Sequence, residues 1–317
     1  MAGVLREAQN NAEVIGTVKK INIEEKVSRN TGKPMIIGDV VVEVKDGDIV
    51  NNIKCKLFSF KLKKDGTENG LYKGYKTVMD EYQQGDRVRV NGNITINEYY
   101  NAAGNLVSFN EVKAVFFNRL EGEEANKKDK AVVTVETVIE GMSSEISVDN
   151  IPTGNLNVDA FTVGYNGTVI PLKNVIISEE LAETFQNMYI PGSTGKITLK
   201  INNYATLTEE ETVSEVAGFG SSERVESNVV TDYTNNLEII GGDLPYSDGV
   251  NNYSQEEIEN AHKVRELELQ QMLTNASAQD TPQHNGFGKT EDLNDKQKQD
   301  VNTGMDAMFG DEQMPAF

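Results

Sequence analysis

Over residues 1–120, five stretches rich in β-branched and aromatic residues follow one another with a single helical period between the third and the fourth, and few folds fit this order. The strand-like stretches are residues 13–26, 34–45, 49–62, 87–98 and 106–118. Turn chemistry separates them: Asn30-Thr31-Gly32-Lys33-Pro34, Lys45-Asp46-Gly47-Asp48 and Asn101-Ala102-Ala103-Gly104-Asn105. Residues 71–84 break the alternation. There Tyr75, Val78, Met79 and Tyr82 recur at three and four, the spacing of one helix face, and Gly85 stops the helix.

Five strands with a helix after the third is the element order of the OB-fold, a small Greek-key barrel that removes its sheet edges by closing. The order recurs further on. Residues 131–140, 156–165, 168–177, 196–202 and 229–240 read as strands, and a helix led by Ser178 with an acidic first turn fills the same slot. Residues 203–228 then form a long insertion before the last strand. The sequence predicts an all-β chain of tandem OB-fold-like barrels: an N-terminal domain over 1–120, a charged linker over 121–130 and a second domain over 131–250. A different β-sandwich accommodates the same strand count. Within residues 251–274, Ser254 and Glu257 form a capping box ahead of Ile258, Ala261, Arg265, Leu269 and Met272, which predicts an amphipathic helix over 254–273 standing by itself. Residues 275–317 hold too few aliphatic side chains to offset the entropy of ordering, which predicts a disordered acidic tail.

Charge divides the chain in the same places. Of the 317 residues, 30 are Lys or Arg and 50 are Asp or Glu, a net charge of −20. Residues 1–120 carry 18 basic and 15 acidic side chains, a balance of +3; residues 121–250 carry 7 and 22, or −15; residues 251–317 carry 5 and 13, or −8. A chain built this way binds polyanions locally, through its first third, while the rest repels them or meets basic partners. No apolar run approaches the roughly 18 residues of a membrane helix, so no membrane partner is expected. The N-terminal residues lack a signal-peptide pattern and Cys55 has no second cysteine to bond, which points to the cytoplasm.

The third strand carries the clearest chemistry. Along residues 53–60, Lys54, Lys56, Phe58 and Phe60 share one face and Ile53, Cys55 and Leu57 the other. Ammonium groups beside aromatic rings suit a single nucleic-acid strand, since cations follow phosphates and a ring stacks on any base. Lys61, Lys63 and Lys64 extend the positive run, and Tyr72, Lys73, Tyr75 and Lys76 follow. In the fourth strand Arg87 and Arg89 face away from Val88 and Val90, placed to clamp phosphates, while Tyr99, Tyr100 and Phe109 offer further stacking at the hairpin. A second arrangement stays open for each: Phe58 and Phe60 packed beneath the helix or a loop, and the arginines on a solvated edge facing Asp86 or Glu111.

The stretch Gln84-Gly85-Asp86-Arg87-Val88-Arg89-Val90-Asn91-Gly92-Asn93-Ile94, then Tyr99, Gly104-Asn105 and Glu111-Val112-Lys113-Ala114, resembles the fourth and fifth strands of bacterial-type single-stranded DNA-binding proteins. That family also carries a flexible linker and an acidic tip ending in Pro and Phe; this chain ends with Asp311, Glu312, Met314, Pro315 and Phe317. The resemblance covers about residues 12–120 and the last dozen. It implies single-stranded DNA as partner and a tip that recruits replication, recombination or repair proteins by placing Phe317 in an apolar, basic-rimmed pocket. A frayed, solubilising terminus is the other reading of the tip. The chain has no Trp, so Phe58, Phe60, Tyr99 and Tyr100 take the stacking role, and Ala316 separates Pro315 from Phe317. A form this diverged fits a phage-encoded protein acting in the host cytoplasm.

Catalysis has little to stand on. One Cys and two His, His262 and His284, both in the polar C-terminal region, make no metal set and no hydrolytic triad. Gly288-Lys289-Thr290 lacks the upstream glycine of a phosphate loop, since position 283 is Gln283, and Glu209-Glu210-Glu211 reads as a solvated run in a loop. The expectation is a non-enzyme without cofactor, metal or catalytic residue that coats single-stranded DNA, its acidic second domain serving self-association or a protein contact. A recombination mediator or replisome-assembly hub without strong DNA binding, and a structural particle protein, are the alternatives.

Overall fold

The computed structural model describes residues 5–279 apart from 30, 102, 148–149, 216–222, 248 and 250. The tip residues Asp311, Glu312, Met314, Pro315 and Phe317 lie outside the described residues, as does His284. In the first barrel β1 (Asn10–Val27), β2 (Pro34–Asp46), β3 (Ile49–Phe60), β4 (Arg87–Tyr100) and β5 (Leu106–Arg119) close in the order β1-β2-β3-β5-β4-β1, with α1 (Gly70–Glu81) between β3 and β4. All pairs are antiparallel except β3–β5. This is the strand order of the OB-fold.

The second barrel repeats it. Strands β6 (Lys130–Ile146), β7 (Pro152–Val163), β8 (Val169–Ile177), β9 (Thr194–Glu215) and β10 (Glu223–Gly242) close in the order β6-β7-β8-β10-β9-β6, with α2 (Glu179–Met188) after β8 and a parallel β8–β10 pair. The chain is therefore mostly β, with two closed five-stranded barrels. Strands β1 and β6 pair antiparallel from Asn10↔Val135 to Ile15↔Lys130, so the two barrels share one ten-stranded sheet.

Alternation explains the cores. On β3, Ile53, Cys55 and Leu57 are buried while Lys54, Lys56 and Phe58 between them are not, and Val88, Val90 and Ile94 do the same on β4. Burial, with Asp39 adding to it, pushes the Cys55 thiol up to about 12, so it is an inert packing group. The β4–β5 register shifts at Asn91/Gly92, where a Cβ on residue 92 would press on the backbone of Lys113; glycine lets the strands close there. Helix α1 starts at Asn69, whose side chain accepts from the Leu71 N–H at 3.0 Å, and it plugs the barrel with Tyr72, Tyr75 and Val78.

Two expectations are corrected. Residues 203–228 are no insertion between strands: β9 and β10 run on through them as a two-stranded ribbon, paired out to Glu215↔Glu223. Glu209, Glu210 and Glu211 therefore sit on β9 rather than in a loop. Nor does the C-terminal helix stand alone. α3 (Gln255–Gln279) begins with the capping box, Ser254 N–H to Glu257 at 2.8 Å and Glu257 N–H to Ser254 Oγ at 3.3 Å, and packs on the second barrel. Tyr253 and Ile258 join Leu5, Ala8, Val138, Phe161, Val163 and Val169 in a second apolar cluster. His262 lies on this helix, its ring edge-on to Phe161 at 5.1 Å and its Nε2 2.7 Å from Glu140. α3 is the longest described helix, and no helix among the described residues is long and apolar enough to cross a membrane.

The chain entering β1 is tied down by a buried carboxylate. Glu136 on β6 receives Arg6 at 2.8 Å, the Gln9 N–H at 2.7 Å and the Tyr246 hydroxyl at 2.6 Å. Burial alone raises the Glu136 carboxyl, yet the hydrogen bonds from Tyr246, Arg6 and Gln9 outweigh it and hold the group below its ordinary value. A carboxyl depressed by folding contributes stability above its unfolded value, and that contribution is lost as pH falls through the folded one. Urea titrations in steps below about pH 4.5 should show the wild type losing stability more steeply than Glu136→Gln, which has no such proton to take up.

Candidate nucleic-acid interface

The outward side of β3 presents Lys54, exposed, and Lys56, Phe58 and Phe60, partly exposed. The two phenyl rings meet edge to face with centroids 5.2 Å apart, and Lys33 Nζ stands 5.8 Å from the Phe60 centroid. On β2, Met35, Ile37 and Asp39 lie opposite Phe60, Phe58 and Lys56, so the rings border an apolar strip. Lys61 and Lys63, both exposed, continue the basic character past the end of the strand.

Strand register extends this face. Lys56 pairs with Lys113 on β5, which brings Lys113, Glu111 and Phe109 to the same side; across the hairpin Thr95 lies opposite Glu111, Asn97 opposite Phe109 and Tyr99 opposite Val107. Tyr99 is 43% exposed and Phe109 partly so. The result is an outer surface over β3, β5 and β4 in which Lys54, Lys56 and Lys113 lie between one pair of rings, Phe58 and Phe60, and a second, Phe109 and Tyr99. Within it, burial pushes the Glu111 carboxyl above the usual carboxylate value, although Lys56, the Asn97 amide at 3.4 Å and Lys54 pull the other way. Burial also lowers the Lys113 ammonium, against the pull of Glu111. Sequence reading did not assign Glu111, Lys113, Asn97 or Lys33 to the interface; for Glu111 and Lys113, only the β3–β5 register shows that they share a face with Lys56.

Several residues expected at the interface lie elsewhere. Tyr72 and Tyr75 belong to the core: the Tyr75 hydroxyl donates to the Ala114 carbonyl at 2.6 Å and that of Tyr72 to Glu25, because α1 turns both toward the barrel interior. Tyr100 alternates to the face opposite Tyr99. Arg87 and Arg89 point outward from β4, but the connection between the barrels folds back over them. Arg87 pairs with Asp129 at 2.6 Å and donates to the carbonyls of Lys127 at 2.8 Å and Ala125 at 3.3 Å. Arg89 pairs with Glu124 at 2.9 Å and Glu13 at 3.4 Å. Both stay partly exposed, but their guanidinium groups are engaged by these partners and not by Asp86, which Arg119 holds at 2.7 Å. The described residues contain no group of His, Cys, Asp and Glu arranged to hold a metal ion.

Among solved structures, the wild-type single-stranded DNA-binding protein from Thermus aquaticus is 13% identical, with a TM-score of 0.48 over 77% of this chain and 97% of that one. A deletion mutant of the same protein gives 13% and 0.48 over 79% and 98%. No curated protein matches the sequence. The family model described as YorF matches residues 8–275, strands of both barrels and most of α3 included, and the chain accordingly belongs to the YorF family.

Proposed function

We propose that this protein is a non-enzymatic single-stranded DNA-binding protein whose first barrel holds the strand across β3, β5 and β4. The observation that carries the reading is the shared face of Lys54, Lys56, Phe58, Phe60, Phe109 and Tyr99, with the cations set between two pairs of rings. Such a surface tracks a phosphate chain and stacks on unpaired bases, which a duplex hides. Lys61 and Lys63 extend the phosphate path. The acidic second barrel adds little phosphate affinity and serves as support, and the acidic tip at Phe317 recruits replication or repair proteins.

Fluorescence anisotropy with labelled oligo-dT and a duplex of equal length, across a salt series, tests this. Expected is strand-selective binding whose log affinity falls with log salt by about 0.7 per phosphate contact. Phe58→Ala and Phe60→Ala should each weaken it by about 1 to 3 kcal/mol. Equal binding to the duplex, or none to either, overturns the reading.

Glu111 supplies a separate check, since its carboxylate opposes the strand's phosphates beside Lys54 and Lys56. Its folded pKa is raised, so it becomes neutral on acidification before ordinary carboxylates do. Glu111→Gln should tighten oligo-dT binding at pH 7 by up to about 1 kcal/mol. The wild type should approach the variant's affinity as the pH is lowered toward the ordinary carboxylate range.

A further inference from the structure

The hairpin that carries Tyr99 and Phe109 is gripped from its other side. Alternation turns Glu98, next to Tyr99, and Ser108 and Asn110, on either side of Phe109, to the inner face. Glu98 is 3% exposed; it accepts from Ser108 Oγ at 2.8 Å and pairs with Arg265 Nη2 at 2.6 Å. Arg265 reaches it from α3 and also donates to the Val169 carbonyl at 3.3 Å. Asn110 donates to the Pro171 carbonyl at 2.9 Å and accepts from the Lys173 N–H at 2.6 Å, both on β8. α3 is itself seated by Tyr253, Ile258 and the contact of His262 with Phe161. The groups that reach across to the hairpin thus come from β8 and α3, outside the barrel that carries the rings.

We infer that Arg265 and Asn110 are positioning residues for the single-strand interface, through which β8 and α3 fix the orientation of Tyr99 and Phe109; this rests on the proposed function. A two-stranded hairpin extending past its barrel is barely stable by itself, and a ring that must first be ordered loses affinity to that ordering. A buried guanidinium–carboxylate contact is among the stronger fixings available. Without Arg265, Glu98 is left as a buried carboxylate lacking its charge partner, which favours the hairpin swinging out to hydrate it.

The test uses the full chain, oligo-dT anisotropy across a salt series, and hydrogen exchange over residues 97–110. Arg265→Ala should lose about tenfold in affinity through faster dissociation and raise exchange in the hairpin. Its salt slope should match the wild type, because no phosphate contact is removed, whereas Lys54→Ala should flatten the slope by about 0.7. Arg265→Lys should recover part of the loss. Asn110→Ala, which leaves no buried charge, should act in the same direction and keeps the test open should Arg265→Ala fold poorly. Unchanged affinity of Arg265→Ala and Asn110→Ala beside a wild type that binds overturns this inference alone. So does a loss accompanied by a flatter slope, which would put Arg265 on the strand. A wild type that binds no oligo-dT overturns the proposed function and the inference with it.

Discussion

The antiparallel pairing of β1 with β6 is the constraint on which the architecture rests. Each barrel is closed by its own hydrogen bonds, yet Asn10 to Ile15 and Lys130 to Val135 also bond to each other, so neither first strand presents an open edge there. Because β1 and β6 hold the same place in their barrels, their antiparallel register gives the relation that a two-fold axis gives two copies of one chain. Each terminal hairpin then reaches toward the other barrel's third strand. β4–β5 reaches β8 through Asn110, and β9 reaches β3 where the Asn203 N–H donates to Asn51 at 2.7 Å. Lys200 and Asp46 add an ion pair at 2.6 Å across the same junction.

That arrangement separates tasks that the charge profile already hints at. The first barrel keeps its β3–β5–β4 face open and cationic. The second, far more acidic, receives the inner face of the β4–β5 hairpin and the N-terminal strap at Arg6, and carries α3. Among the described residues the two buried carboxylates stand where pieces distant in sequence meet: Glu136 with Arg6 and Tyr246, Glu98 with Arg265. Such groups fix one arrangement among several that apolar packing alone would tolerate.

Much of this was legible in the residues. The place of each strand of the first barrel followed from alternation and turn chemistry, and the inward and outward halves of β3 followed from period two. Tyr72 and Tyr75 misled because their lysine neighbours suggest a binding face, while their spacing of three puts them on one helix side that turned out to be the buried one. Arg87 and Arg89 misled because their partners, Asp129 and Glu124, lie some forty residues on and come near only after the connection folds back. The β9–β10 ribbon was obscured by its Glu run, and the seat of α3 by cluster members, Leu5 and Ala8, from the opposite end of the chain.

The segment joining β5 to β6 has a consequence of its own. Two separate barrels would meet through their first strands only at sufficient protein concentration, whereas a short connection pinned at Arg87 and Arg89 holds the second at high effective concentration beside the first. Pairing thereby becomes independent of dilution. It also frees the two barrels from having to be identical, since a contact made within one chain need not be self-complementary, and one barrel can turn acidic while its counterpart stays cationic.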